Sequence, residues 1–181
     1  AILSEANLKD AVIYESVLAG AVLDKATLDN ANLNFSDLSS ASLFMTKMPN
    51  AQLASVNLQG AFLMGAVLYK ANLHDSVLVD ANLQKSGLGG ANLSGANLSG
   101  ANLTDSNLER ATLVETNLTG ACLDNCCVYG ISAWNLILDK TEQSNLVITQ
   151  YGEPRITVDN LEVAQFMYML LTNSKIRGVI D

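Results

Sequence analysis

The sequence is poor in the residues that most enzymes and metal proteins use. It has 181 residues, one His and three Cys, and only 15% of it is charged. The Cys residues, Cys122, Cys126 and Cys127, form no Cys-X-X-Cys pair, and His74 stands about fifty residues away from them. Such spacing offers no zinc-type ligand set, so no metal and no cofactor is expected. Basic residues are scarce too: ten Lys and Arg face eighteen Asp and Glu, a net charge of −8. That balance argues against direct binding to nucleic-acid backbones or anionic membranes, which need cations to neutralise phosphate, and favours basic or neutral protein partners. No apolar run approaches the roughly 20 residues of a membrane helix, and no basic start followed by an apolar stretch and cleavage site opens the chain. The chain therefore reads as soluble, intracellular and cytoplasmic, and its start at Ala1 reads as that of a piece of a longer protein.

What is present is apolar residue in quantity, 49% of the chain, enough to bury a core. Its placement follows a five-residue step. From Leu3 the chain reads Leu8, Ile13, Leu18, Leu23 and Leu28, and continues through Met48, Leu73 and Leu98 to Leu123 and Val128. Two residues before each stands a small one: Ala1, Ala6, Ala11, Ser16, Ala21 and onward to Ala121 and Cys126, with Val56 the only larger aliphatic. A period of five fits neither a helix at 3.6 nor a strand at 2, either of which would scatter the Leu residues over every face. It fits a chain that turns after every fifth residue, with a large and a small side chain pointing inward and three positions pointing out. Successive coils then stack at about 4.8 Å and share strand-like hydrogen bonds.

The repeated unit is seen undiluted in Ala91-Asn92-Leu93-Ser94-Gly95-Ala96-Asn97-Leu98-Ser99-Gly100. It resembles the pentapeptide-repeat family over residues 1–130. That resemblance implies an all-β solenoid, a right-handed quadrilateral β-helix with four pentapeptides per coil, here about 6.5 coils and about 31 Å long. Residues twenty apart then stack. Asn before the central Leu, as at Asn72, Asn92 and Asn107, is expected to bond neighbouring backbone and to form ladders. Gly in fifth place, as at Gly95 and Gly100, suits the corners and is no phosphate loop.

Sorted by side, the outward positions show one departure from polarity. Phe44, Met45, Phe62 and Met64 fall on consecutive coils of one side, and Val67 and Tyr69 on the next side, a candidate protein-binding patch. Another column, Tyr14, Asn34, Ala54, His74, Ser94 and Val114, builds no site. Catalytic pairings fail on distance: His74 and Cys122 are expected about 12 Å apart along the rod. Acid pairs such as Asp75 with Asp80 sit on a convex surface with no cleft to raise a pKa. No enzyme activity and no catalytic residue is predicted.

After Gly130 the register is expected to fail, since Ile131 takes the small slot and Ala133 the large one. Residues 131–157 are read as an irregular end cap in shifted phase, with Trp134 covering the open core end and a turn at Tyr151-Gly152-Glu153-Pro154. Residues 158–181 are read as a helical segment: Asp159 with Glu162 forms an N-capping pattern, and a helix runs from Asn160 to Leu171. This helix is apolar nearly all round, so Leu161, Phe166, Met167 and Leu170, with Trp134, are candidate capping or dimerisation residues. The tail, from Val128-Tyr129-Gly130-Ile131 through Ile156-Thr157-Val158-Asp159 to Lys175-Ile176-Arg177-Gly178, resembles the segment that joins the rod to a TIR-like domain in some bacterial pentapeptide-repeat proteins.

These readings give a non-enzymatic scaffold that binds a protein partner or self-associates through its tail as a homodimer, and that belongs to a larger TIR-associated protein. The alternative class is a DNA mimic acting on a type II topoisomerase such as gyrase. Duplex of about 31 Å carries about 18 charges, whereas residues 1–130 hold twelve acids and six bases.

Overall fold

The structure, a computed structural model, describes residues 1–150 and 152–172. A ladder of parallel bridges steps by twenty residues without a break, from Ile2 with Val22 to Cys127 with Val147. Each side of the coil is pinned to its neighbours by the same bonds. Around Asn92, for example, the Leu73 amide donates to the Asn92 carbonyl at 2.7 Å, and the Asn92 amide donates to the Ala71 carbonyl at 3.0 Å. The chain then turns: the Ala96 amide donates to the Leu93 carbonyl at 3.0 Å.

Every such turn places its third residue at positive φ, where a side chain normally resists. Glycine supplies eight of these corners in the rod, yet non-glycine residues fill the others, including Phe35 at φ 60° and Met45 at φ 52°. The fifth-position glycines are thus one solution to the corner rather than a requirement of it. Hydrogen bonds between coils overdetermine the backbone enough to hold an L-residue there.

Both inward columns are buried from the second coil through Ala133, and Leu136 and Leu138 of the last coil are partly buried. Leu23, Leu43, Leu63, Leu83 and Leu103 are fully inaccessible, as are Ala26, Ala66 and Ala96 beside them. Burial of each such Leu is worth about 1.5–3 kcal/mol. In the first coil Leu3, Leu8, Ile13 and Leu18 are only half-buried. Threonines in the small column find carbonyls 23 residues back: Thr46 Oγ1 donates to Leu23 O at 2.8 Å, and Thr116 Oγ1 to Leu93 O at 2.9 Å, whereas Ser76 Oγ donates to Leu73 O in its own turn. Asn residues before the Leu column behave as their position suggests. Asn92 Oδ1 accepts the Ser94 amide at 3.1 Å, and Asn92 Nδ2 donates to Asn72 Oδ1 at 3.3 Å.

The ladder does not stop at residue 130. Thr112 pairs with Ser132, Asn117 with Ile137, Cys122 with Glu142 and Cys127 with Val147, so the step of twenty persists in unshifted phase. Exchanging the large and small residues at Ile131 and Ala133 keeps both buried; the pair fills the same space in the opposite order. The irregular phase expected over 131–148 is absent for that reason. Trp134 does not cover the core end either. It stands in the outward column above Val114 and is half exposed.

The rod is closed instead by a two-residue strand β1 (Leu146–Val147), its antiparallel partner β2 (Thr157–Val158) and helix α1 (Leu161–Thr172). Leu161 and Ala164 lie over the last coil with Leu146 and Ile148. The helix is capped by Asn160, whose Oδ1 accepts the Val163 amide at 2.9 Å, a bond that satisfies one free N-terminal donor. Asp159, the expected cap, is drawn away to accept the Asn145 amide at 2.8 Å. Gln165, buried, bonds the Ala133 amide through Oε1, and Gln143 Oε1 accepts the Leu161 amide at 2.9 Å. Residues 173–181, which carry the Lys175–Asp181 part of the TIR-linker resemblance, lie outside the described residues, as does Tyr151 of the expected turn.

Candidate functional site

The bridge step of twenty brings the sequence-predicted patch together. Phe44 and Phe62, on adjacent coils of one side, stack with ring centroids 6.1 Å apart at 25°. Met45 occupies the next corner, Met64 is half-buried above Phe44, and Val67 and Tyr69 stand exposed on the adjoining side. Lys70 Nζ lies 5.0 Å from the centre of the Tyr69 ring, a cation–π contact that steadies the ring.

One coil on, Gly87-Leu88-Gly89-Gly90 presents no outward side chain at all. The result is a recess of about 560 Å³ between Val67, Tyr69 and Lys70 on one rim and Glu109 and Arg110 on the other. Tyr69 leans over it, for a methyl group on Gly89 would touch the Tyr69 ring. The sequence contains the signal for this recess, three glycines in one pentapeptide, but a reading that gives glycine only to corners misses it.

A second apolar surface lies at the tail. Trp134, Phe166 and Met169 line a groove of about 450 Å³ between the last coil and α1, and all three are exposed. Of the tail candidates, Leu161 is spent on closing the core, Met167 packs partly against it and Leu170 is half-buried. Only Trp134 and Phe166 remain available, with Met169, which carries no separate signal in the sequence.

Among the described residues, His74 and the three Cys do not converge. Cys126 points inward, its Sγ 3.1 Å from Leu103 O, and burial pushes its thiol up to about 12. Burial also raises Cys127. His74 faces solvent with Nδ1 2.8 Å from Ser94 O and Nε2 3.1 Å from Asp75. One cluster escaped the sequence: Cys122, Asp124 and Glu142 have donor atoms within 4.8 Å of one another, because 122 and 142 stack on neighbouring coils. Asp124 Oδ1 is already taken by the Ser144 amide at 2.9 Å and Ser144 Oγ at 2.5 Å, which holds the carboxyl below its usual range. One thiol and one exposed carboxylate remain, too few donors for a structural site.

A family model described as pentapeptide repeats matches residues 1–43, 49–84 and 91–127 in eight copies. The chain belongs to the pentapeptide-repeat family. The right-handed quadrilateral β-helix of that family is the fold of the rod, and one C-terminal helix follows it. The family match ends at residue 127 and does not bear out the expected TIR-linking tail.

Among solved structures, the pentapeptide-repeat rod is similar to a pentapeptide repeat protein of the Arabidopsis thaliana thylakoid lumen. The two are 28% identical over 50% of this chain, with a TM-score of 0.49, and the match spans 63% of that protein's length. HetL of the cyanobacterium Nostoc sp., involved in heterocyst differentiation regulation, is 28% identical over 82% of this chain and 83% of its own, with a TM-score of 0.32. Trypsin-treated QnrB1, a plasmid-mediated fluoroquinolone resistance protein, is 19% identical over 75% of each chain with a TM-score of 0.62, a likeness of fold. No curated protein matches the chain. Among the described residues no helix is long and apolar enough to cross a membrane.

Proposed function

We propose that this pentapeptide-repeat rod, about seven coils and about 34 Å long at the strand spacing, is a non-catalytic scaffold that binds a partner protein on its Phe62 and Tyr69 sides. The observation that carries this reading is the contiguity of Phe44, Met45, Phe62, Met64, Val67 and Tyr69 in the middle of the rod, beside the glycine recess; the other exposed aromatic pair, Tyr14 with Phe35, stands on the first two coils, away from that recess. Apolar side chains held rigid on a β-ladder lose little entropy on docking. The tail groove of Trp134, Phe166 and Met169 is a second contact surface, for self-association or for a following TIR-like domain.

A photo-crosslinking residue at position 62, and as a control at position 92 on the opposite side, tests the first surface. Partner adducts are expected from position 62 alone; equal adducts from both positions sink the reading. Light scattering on Phe166→Asp with Met169→Asp tests the tail, and a mass identical to that of the starting chain rules out self-association there.

The second reading, a DNA mimic directed at a type II topoisomerase, draws on a separate feature. Within residues 1–130, two adjacent sides carry Glu15, Asp37, Asp75, Asp80 and Glu115 and no Lys or Arg. Five carboxylates stand where a duplex of similar length has about 18 charges or more. Inhibition of gyrase supercoiling at low micromolar concentration is the result that would favour it over the scaffold.

A further inference from the structure

Folding the sequence into coils of twenty sorts its charges in a way the net value conceals. All six Lys and Arg of residues 1–130, namely Lys9, Lys25, Lys47, Lys70, Lys85 and Arg110, fall on the two sides that carry the apolar patch, together with seven of the twelve acids, Glu5, Asp10, Asp24, Asp29, Asp105, Glu109 and Asp124. In the two coils that form the patch and the next, which holds the recess, those sides (residues 41–50, 61–70 and 81–90) hold Lys47, Lys70 and Lys85 and not one Asp or Glu. A protein with net charge −8 therefore presents its aromatic and Met cluster on a stretch whose own charges are all positive, bounded by Asp24 and Asp29 on the coil before it and by Asp105 and Glu109 on the coil after it.

Of these cations only Arg110 is ion-paired among the described residues. Among the described residues the ion pairs are His74 with Asp75 and Arg110 with Glu109, the latter at 3.8 Å, and neither involves Lys25, Lys47, Lys70 or Lys85. Lys47, Lys70 and Lys85 are exposed. The glycine recess opens between Lys70 and Arg110, which stand two coils apart on one corner with Gly90 between them. An apolar anchor can enter that recess beside Val67 and Tyr69 while a carboxylate on the side away from Glu109 reaches Lys70.

We infer that the partner on this surface is an acidic protein segment, carrying aromatic or aliphatic anchors among its carboxylates, and that it lies along the rod across the coil of Phe44, the coil of Phe62 and Tyr69, and the coil of Gly89. The inference deepens the scaffold reading and rests on it. It reverses the expectation from net charge, because a partner meets the local potential within a Debye length of about 8 Å at physiological salt and not the summed charge of the molecule. Apolar contacts supply the central anchor and the Lys rim supplies orientation and on-rate.

The test is selection of a displayed random 12-residue peptide library on the full chain, followed by fluorescence anisotropy of the enriched peptides. Expected are peptides of net charge −3 or lower with at least two aromatic or aliphatic residues. Lys70→Glu with Lys85→Glu should weaken them at least tenfold, as should raising salt from 50 to 300 mM. Enriched peptides that are neutral or basic, yet lost on Phe62→Ser with Tyr69→Ser, overturn the acidic partner and leave the scaffold reading standing. Peptides indifferent to Phe62→Ser with Tyr69→Ser, or no enrichment, overturn both. A mass doubling in light scattering that Lys70→Glu abolishes makes the occupant a second copy and overturns the partner segment. Binding to duplex DNA or to phosphatidylserine vesicles tighter than to any peptide overturns it as well. Circular dichroism melts of the variants, all exposed substitutions, separate lost binding from lost fold.

Discussion

Leu98→Ala removes three carbons from a residue with no accessible surface in the middle of the rod. The transfer loss is about 2.4 kcal/mol at about 0.8 kcal/mol per buried methylene. A cavity term adds to this if the neighbours cannot collapse. Here they are held: Leu78 N donates to Asn97 O at 2.7 Å and Leu98 N to Asn117 O at 2.8 Å, so coil spacing is fixed on both sides of the hole. The total should lie in the upper part of the ~2.7–5.0 kcal/mol range for Leu→Ala, near ~4 kcal/mol. Leu3→Ala, in the half-buried first coil, should cost about 1 kcal/mol. Urea unfolding followed by circular dichroism gives both numbers. In a solenoid each coil is stabilised mainly by its neighbours, so the central cavity should also broaden the transition and lower its apparent m-value, whereas the terminal one should not. A Leu98→Ala cost below about 1.5 kcal/mol, or one equal to that of Leu3→Ala, would refute the claim that the ladder prevents collapse.

Other outcomes follow from single contacts. Gln165→Ala leaves the buried Ala133 amide without its acceptor, and should weaken docking of α1 by about 1–3 kcal/mol, read as faster proteolysis within 161–172 while the rod stays intact. Cys126 should resist thiol reagents in the folded protein at pH 8 while Cys122, half-exposed, reacts; all three should react in denaturant. Because the folded thiol is raised to about 12 against 9.0 for the free group, its contribution to stability is complete below pH 9 and is lost as the pH rises toward 12. Cys126→Ala should flatten that part of the stability profile. Gly120→Ala meets nothing within 4 Å and should cost only the positive-φ penalty, about 1 kcal/mol; Gly95→Ala should also displace the Asp75 carboxylate from His74, visible as a shift of the His74 ring signals in NMR.

The rod is legible in the sequence because its information is one-dimensional. A Leu every five residues with Ala two before it has no alternative period that buries both, and the same register locates Phe44, Phe62 and Tyr69 on neighbouring sides. Position in the repeat also places Cys126 inward. What escapes are features that depend on context across coils. Ile131 and Ala133 break the pattern by residue type but conserve its volume, so a rule about identity fails where a rule about space holds. Trp134 suggests a cap by its size, although its place in the outward column already decides its direction. Asp159 and Asn160 compete for the same cap, and the rival donor, the Asn145 amide, is not local. The sorting of cations onto two sides is readable by counting in twenties; net charge hides it.

The unbroken step of twenty means that whole turns of this protein are exchangeable parts. Removal of residues 111–130 would join Arg110 directly to Ile131, and every later residue would keep its column. A deletion of one to four residues would rotate everything beyond it out of place. Length in this molecule is thus a setting that can be changed in steps of about 4.8 Å, which moves the tail surface toward or away from the Phe62 side without altering either.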